Sequence, residues 1–415
     1  MRIAILTLGT RGDVQPYAVL GQALKQRGHQ VTLATARNFA ALVASYGLDF
    51  VPVEADYQAI LASEEGKKIM KANPFAIQRN LETWIYPLVQ QSLATFYELA
   101  QASDRVVYHV KTMADSFADQ FPEKMIRAMV VPAVQPTRAF PNPAFSGLPV
   151  PAFLNQWSYR LTGLGVRMLR KPIGRFRESH GLPKKYHTPE TPFLYGISPL
   201  LLPQPADLPT NATFTGFWFG TAEEELAPDL LDFIKQGEPP LLVTFGSMPF
   251  QSRFDLQNAL IELTKRFRTR LVVVKGWGLE HTDRLAGVSA IKVIDAAPYE
   301  KLFPLVKAVV HHGGIGTTAE CLRAGKPCFV CPILYPIGDQ LFWGRAAFAK
   351  GVAVAPVPLS KMSESVFFSR VQELLNSPRL YDNARNIAEQ LKQENGVQTA
   401  VIKIESPANR AHQLL

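Results

Sequence analysis

The chain is poor in cysteine. Only Cys321, Cys328 and Cys331 occur in 415 residues, and all three fall in one apolar region. Cys328 and Cys331 have C-x2-C spacing but lie in a run that reads as a strand, so a buried structural role is expected and no metal site. That usage fits an intracellular, reducing compartment. Long hydrophobic runs are missing too, so no segment offers the roughly 20 apolar residues of a membrane-spanning helix. No leader pattern precedes the first strand, and a cytoplasmic location is expected. Zinc-finger, RNP-type and heptad signals are absent, which argues against nucleic acid as a partner. No G-x-G-x-x-G follows the first strand, so a nicotinamide-type dinucleotide site is not expected there.

What is present is an ordinary globular composition, 47% hydrophobic and 19% charged, with length enough for two α/β domains. The net charge of +9 favours anionic partners such as nucleotides, phosphates or acidic lipid surfaces.

The first half has a βαβαβ rhythm. Residues 2–8 form an apolar strand, and a glycine-bearing turn, Gly9-Thr10-Arg11-Gly12-Asp13, follows. A helix is predicted over 14–27, with Pro16 in its first turn, where proline is tolerated. A strand at 30–34, a helix at 38–46 and a strand at 48–53 complete the unit. This pattern is that of a Rossmann-like domain, which binds ligands at the carboxyl ends of its strands. Residues 56–102 read as helical, 105–110 as a strand ending near His109, 129–134 as a strand and 136–151 as a loop.

The stretch 155–180 interleaves arginines and a lysine with Trp157, Tyr159, Leu161, Met168, Ile173 and Phe176. It reads either as a basic amphipathic segment touching an anionic membrane or greasy substrate, or as a helix packed on its domain with a solvated basic face. The proline-bearing stretch 201–213 reads as an interdomain linker. The expected division is an N-terminal domain over 1–202, a linker over 203–213, a C-terminal domain over 214–395, and a tail over 396–415 that crosses back. In the second domain, strands are predicted at 240–245, 270–275, 292–294, 306–310, 328–332 and 352–354. Helices are predicted at 254–267, 299–305, 342–350, 363–376 and 378–395.

The central stretch is Val309-Val310-His311-His312-Gly313-Gly314-Ile315-Gly316-Thr317-Thr318-Ala319-Glu320. A strand runs through two histidines into a glycine turn and then a helix. Such a junction presents free N–H groups and the positive end of a helix dipole, which suits a phosphate. Thr317, Thr318 and His312 can add donors.

Several motifs in one order carry a family resemblance. They are Gly9 to Pro16, Thr215-Gly216-Phe217-Trp218, Thr244-Phe245-Gly246-Ser247-Met248, residues 298–304, His311 to Thr318, and Pro332 with Gly338-Asp339-Gln340. Together they resemble the sterol-glucosyltransferase and antibiotic-glycosyltransferase branch of the nucleotide-sugar glycosyltransferases. The resemblance spans nearly the whole chain and is weakest from about 56 to 200, where acceptor specificity usually resides. It implies a GT-B fold, two facing Rossmann-like domains, and metal-independent transfer with inversion at the sugar carbon. It implies a UDP-sugar as co-substrate, with no further cofactor. His312, Gly314, Gly316 and Thr317 would bind the diphosphate, helped by Gly246 and Ser247. Thr10 and Arg11 belong to the same donor set, Arg11 being either a phosphate contact or an ion-pair partner. Glu320 would take the ribose hydroxyls, the backbone at Ala297 the uracil, and Asp339 and Gln340 the sugar.

Asp13 matches the acidic residue that serves as general base in this branch; it also reads as a helix N-cap. His109 is a secondary candidate on the acceptor side, or a structural histidine. The acceptor is expected to be a hydrophobic alcohol, a sterol or other lipid, or else a polyketide-type aglycone. A sugar-nucleotide epimerase would share the donor cleft without an acceptor pocket. A non-enzymatic lipid- or nucleotide-binding protein would tolerate loss of Asp13.

Overall fold

The computed structural model describes residues 1–54, 85–161, 163, 167–221, 224–246, 254–276 and 282–406. Two all-parallel sheets organise them. The first runs in the order β3-β2-β1-β4-β5-β6-β7. Its strands are β1 (Arg2–Leu6), β2 (Gln30–Ala36), β3 (Asp49–Val53), β4 (Arg105–Tyr108), β5 (Met125–Met129), β6 (Phe193–Tyr195) and β7 (Ala212–Phe214). The second runs in the order β10-β9-β8-β11-β12-β13. It holds β8 (Leu241–Thr244), β9 (Leu271–Val274), β10 (Ile291–Ile294), β11 (Val309–His311), β12 (Cys328–Val330) and β13 (Ala353–Val354). Strands covered on both faces must be apolar throughout, and Leu241 to Thr244 or Leu271 to Val274 are buried at every position.

The first sheet's faces are closed by two apolar clusters. One gathers Val14, Tyr17, Leu20 and Leu24 of the helix Arg11–Gln26 with Ala400, Val401 and Ile404 of the C-terminal helix Gly396–Glu405. This helix thus packs on the first domain. There Glu405 accepts from Arg27 at 2.7 and 2.8 Å and lies 2.8 Å from His29 Nε2. The other cluster packs Leu93, Phe96 and Phe176 under Tyr108. A third core is shared: Met129, Tyr195 and Phe214 of the first domain pack in one cluster with Phe303, Val309 and Trp343 of the second. Near it Glu394 accepts from Ser198 at 2.7 Å and from the Phe217 N–H at 2.9 Å.

The structure corrects several expectations. The first helix begins at Arg11, with Thr10 as N-cap. The fifth strand lies at Met125–Met129, ahead of the predicted 129–134, because Pro132 cannot donate to a ladder. The linker is not at 203–213, since Ala212–Phe214 is the last strand of the first sheet. The crossing follows it, over 215–227, before the helix Pro228–Lys235. The prediction for 56–102 falls partly outside the described residues; the rest is the helix Tyr86–Ala102.

The stretch 155–180 is not one amphipathic helix. Its described parts include a short helix, Asn155–Ser158, and a separate one, Arg170–Ser179, which buries Ile173 and Phe176. Arg177 leaves the basic face altogether. It is fully buried and forms a bidentate pair with Asp119 at 2.9 Å on both arms. Removing Asp119 would strand that charge at a cost of about 3–5 kcal/mol. Among the described residues no helix is long and apolar enough to cross a membrane.

Candidate active site

In an open parallel sheet, ligands bind where the strand order reverses direction. The first sheet reverses between β1 and β4, and the second between β8 and β11. Each reversal brings two loops side by side, and most of the candidate residues sit on these four loops.

At the first reversal, Leu6 pairs with Tyr108, so the turns after β1 and β4 leave the sheet together. Asp13 stands in the first turn of its helix and folds back. Its Oδ2 accepts the Thr10 N–H at 2.9 Å and the Thr10 hydroxyl at 3.2 Å. Gly9 makes the fold-back feasible, because a Cβ there would lie 2.2 Å from that oxygen. The other oxygen, Oδ1, receives the Lys111 ammonium at 2.6 Å and lies 3.9 Å from His109 Nε2. His109 is 2% exposed, stacked edge-on against Tyr17, and its Nδ1 accepts the Lys111 N–H at 3.0 Å. The neutral ring therefore carries its proton on Nε2, facing Asp13.

Burial pushes the Asp13 carboxyl upward, yet Lys111, His109 and the Thr10 donors outweigh it and hold the group below its ordinary value. Burial and Lys111 take His109 down to about 3 against the pull of Asp13. His109 was expected on the acceptor side. Its ring is buried and stands behind Asp13. Lys111 was not anticipated. The available signal was topological: whatever follows the strand beside β1 must stand next to Asp13.

At the second reversal the site is built mainly from peptide groups. Gly314 is the N-cap of the helix Ile315–Arg323, and Gly316 and Thr317 lie in its first turn. The His312 ring is wedged between two glycines. A Cβ on Gly246 would come within 2.6 Å of its Cε1, and a Cβ on Gly314 within 2.6 Å of its Nε2. Among the described residues His312 Nδ1 has no hydrogen-bond partner. Burial, with His311 beside it, lowers His312 to about 3, so the ring is a neutral donor. Thr318 spends its hydroxyl on Gly314 O at 3.0 Å, which leaves Thr317 as the hydroxyl of the pair for a ligand. Ser247 lies outside the described residues.

The remaining donor-side residues surround this turn. Glu320 pairs with Arg323 at 3.0 Å, and Arg323 also donates to Glu300 at 3.2 Å. Ala297 is half-buried, one residue before the helix-capping Pro298. Asp339 caps the helix Gln340–Ala349 and accepts from Trp343 Nε1 at 2.9 Å. Burial raises its carboxyl, while Lys111 and Asp13 of the other domain act on it with opposite signs. Gln340 is committed in part to its own loop, because its Oε1 takes the N–H groups of Ile333 and Leu334 at 2.8 and 2.9 Å. Only its amide N–H2 remains for a sugar. Arg11 is exposed and donates to Gln15 at 3.0 Å, near enough to act on Tyr299 across the interface.

The two domains touch along one edge of this space. Gly338 N–H donates to Ala144 O at 2.7 Å, Arg345 to Ser146 O at 2.6 Å, and Phe140 meets Phe342 edge-on at 5.1 Å. Cys328 and Cys331 face different cores, so their spacing builds no common site. Cys328 instead gathers with Cys321 and His311, fully buried behind the glycine turn, with donor atoms within 4.8 Å of one another.

Comparison with known proteins agrees with this fold. A model of the glycosyltransferase family 28 N-terminal domain matches residues 3–110. The chain is 30% identical, over 98% of its length, to O-mycaminosyltylonolide 6-deoxyallosyltransferase of Streptomyces fradiae, of which it covers 97%. It is 31% identical, over 97% of its length, to a sterol 3-beta-glucosyltransferase of Aspergillus terreus, and it spans 29% of that longer protein. Among solved structures, the glycosyltransferase of kitacinnamycin matches with a TM-score of 0.70 at 19% identity, covering 97% of this chain and 98% of that one. At that identity the likeness speaks for the fold alone.

Proposed function

The chain belongs to the GT-B nucleotide-sugar glycosyltransferases, in the branch of the sterol and antibiotic glycosyltransferases, and from that premise we propose that it transfers a hexose, glucose from UDP-glucose, with inversion onto the hydroxyl of a hydrophobic alcohol such as a sterol or other lipid. The observation that carries the reading is the pairing of the two reversals: a carboxylate at one, a glycine-capped helix start at the other.

An acceptor hydroxyl has a high pKa and needs a base as it attacks. In this reading Asp13 takes the proton while the acceptor oxygen bonds to the anomeric carbon. The bond from that carbon to the diphosphate oxygen breaks, and its electron pair leaves with UDP. One displacement from the face opposite the leaving group inverts the centre. The N–H groups at Ile315 to Thr317, the helix dipole and the neutral His312 donor meet the growing charge, the part a metal plays in other transferases. Glu320 accepts from the ribose, and Asp339 and the Gln340 amide hold the sugar.

A second reading has its own support. The Streptomyces fradiae relative is matched over nearly its full length, which favours a natural-product aglycone and a deoxyhexose donor. One experiment separates the two: UDP release from UDP-glucose measured against a panel of sterols and aromatic alcohols, with dTDP-sugars in parallel. Acceptor-dependent UDP release with sterols supports the first reading. Release only with dTDP-sugars and aglycones replaces it with the second. Release of nucleotide with no alcohol required removes the transferase reading.

A further inference from the structure

Arg323 ends the helix that starts at the glycine turn, and its fork is spent on three separate elements. Its Nε lies 3.0 Å from Glu320 Oε2, one turn back on the same helix. One terminal nitrogen donates to Glu300 at 3.2 Å, on the helix Tyr299–Leu302. The other donates to the Gly220 carbonyl at 3.0 Å, where the chain crosses between the domains. The guanidinium also stands 4.7 Å from the centre of the Phe219 ring in that crossing. An exposed i,i+3 pair uses one arm and contributes little. Here the Arg323 and Glu320 side chains are only 26% and 19% exposed, and a planar fork engaged on three sides fixes where its partners stand.

The carboxylate it holds is not used up. Among the described residues Glu320 Oε2 is buried without an aligned hydrogen bond, so its pairing with Arg323 is one of charge. Glu300, Lys301, Glu320 and Arg323 line one cavity of about 310 Å³ with Thr221 of the crossing. The crossing is in turn gripped by the first domain. A Cβ on Gly220 would come 2.7 Å from Val19 Cγ2 and 3.3 Å from Tyr46 Oη. Tyr46 takes the Gln15 amide at 3.3 Å, and Gln15 takes Arg11 at 3.0 Å. A line of contacts therefore runs from Glu320 through Arg323 and Gly220 to the helix that carries Asp13.

We propose that Arg323 is a positioning residue for the nucleotide: it aims the Glu320 carboxylate at the ribose and anchors that contact to the crossing at Phe219 and Gly220, so that the segment joining the domains responds to occupancy of the ribose site. The proposal rests on the ribose role given to Glu320 above. The groups around Glu320 are Arg323 and Cys321 on its own helix, Glu300 and Lys301 on the neighbouring one, and Tyr46 of the first domain. Lys301 is turned to Glu225, and burial keeps the Cys321 thiol neutral. Arg323 is thus the cation that favours the charged form of Glu320. Without it the carboxyl ionises at higher pH, and the gain in UDP affinity moves with it.

The test titrates UDP calorimetrically from about pH 6 to pH 9 into wild type, Arg323→Gln, Arg323→Lys and Glu320→Gln. Phosphate ionisation is common to all four proteins and cancels between them. At neutral pH Arg323→Gln is expected to weaken binding roughly threefold to tenfold, with the loss shrinking towards the alkaline end. Disturbed packing alone would weaken binding equally at every pH. Hydrogen exchange across 215–227 is expected to slow on UDP binding in wild type and not in Arg323→Gln. Arg323→Lys keeps the charge without the fork, so it should restore the pH dependence and not the protection of the crossing. A loss independent of pH, or a pH dependence that Arg323→Gln leaves in place, overturns the positioning of Glu320 by Arg323. Protection of the crossing that persists in Arg323→Gln overturns the anchoring. If Glu320→Gln keeps the wild-type pH dependence, the ribose role of Glu320 fails and this proposal with it, while the transferase reading, judged by acceptor-dependent turnover, stands.

Discussion

At the ends of β1 and β4 the cleft is lined by charged side chains, Asp13 and Lys111, backed by His109. At the ends of β8 and β11 it is lined by peptide N–H groups, glycines and a neutral histidine. The topology is the same: two parallel strands diverge and their loops meet. Under the proposed mechanism the difference matches what each loop would hold. A proton must be taken by an atom whose affinity is tuned, which calls for a titratable side chain and charged neighbours. A diphosphate carries its own charge, and many fixed dipoles at close range suit it better than one mobile cation. The two halves should therefore break in different ways, the first by a polar swap that keeps shape, the second by added bulk that keeps charge.

The largest effect is expected from Asp13→Asn. It preserves shape and removes the base, so kcat should fall by roughly 10²–10⁴-fold. UDP affinity should hold within about twofold, since the proposed diphosphate contacts at Gly314 to Thr317 lie on the other domain. Steady-state turnover and calorimetric UDP titration measure the two separately. A variant that turns over normally would leave Asp13 as the partner of Thr10 and nothing more.

Gly314→Ala is the converse. Gly314 sits at φ −62°, which any residue adopts, so the change adds no backbone strain. It places a methyl group 2.6 Å from His312 Nε2 and must displace the ring. The expected result is a donor KM raised roughly tenfold to a hundredfold, with the acid limb of the pH profile unmoved. Loss of kcat with an unchanged donor KM would separate His312 from the diphosphate.

Lys111→Met tests the charged half more finely. Lys111 holds the Asp13 carboxyl below its ordinary value, and activity in this mechanism needs the ionised form. Activity is thus retained at high pH and lost as pH falls through the Asp13 pKa. Removing the ammonium raises that pKa, so the loss should begin at higher pH. Lys111 is 54% exposed, and an exposed pair is a weak one, so the change near neutral pH should stay within about fivefold. Because Lys111 also acts on Asp339, the acceptor and donor KM values should be read together. An unmoved acid limb would free Asp13 from Lys111 in solution.

Much of this comparison is legible in the residues, and what is not has a physical reason. Apolar runs such as Leu241 to Thr244 must be buried strands, and a glycine turn between a strand and a helix must expose N–H groups, so the donor half can be read locally. Strands of three residues carry no period, which is why Phe193–Tyr195 goes unassigned and Ala212–Phe214 is lost at the end of a supposed linker. Arg177 looks like one more surface arginine until Asp119, far away in the chain, closes on it. Gln340 reads as a sugar ligand on its motif, but the loop at Ile333 takes its carbonyl. Lys111 has no motif, and only the adjacency of β1 and β4 gives it a role.

A comparably modest effect is expected at Glu320, a titratable group in the backbone-built half. Burial, with Glu300 beside it, takes this carboxyl up to about 7 against the pull of Arg323. A carboxyl accepts from ribose hydroxyls more strongly when ionised, and Glu320 ionises as pH rises through about 7. UDP affinity should therefore strengthen by roughly threefold to tenfold across that window, the scale of a hydrogen bond to a charged group. Phosphate ionisation contributes in the same direction near pH 6, so the decisive comparison is with Glu320→Gln. That variant keeps an acceptor oxygen and loses the titration, and its affinity should change only as the phosphate does. Equal slopes in both proteins would assign the whole effect to the nucleotide. The ribose would then bind elsewhere, and the proposed diphosphate contacts would be backbone N–H groups, Thr317 and His312.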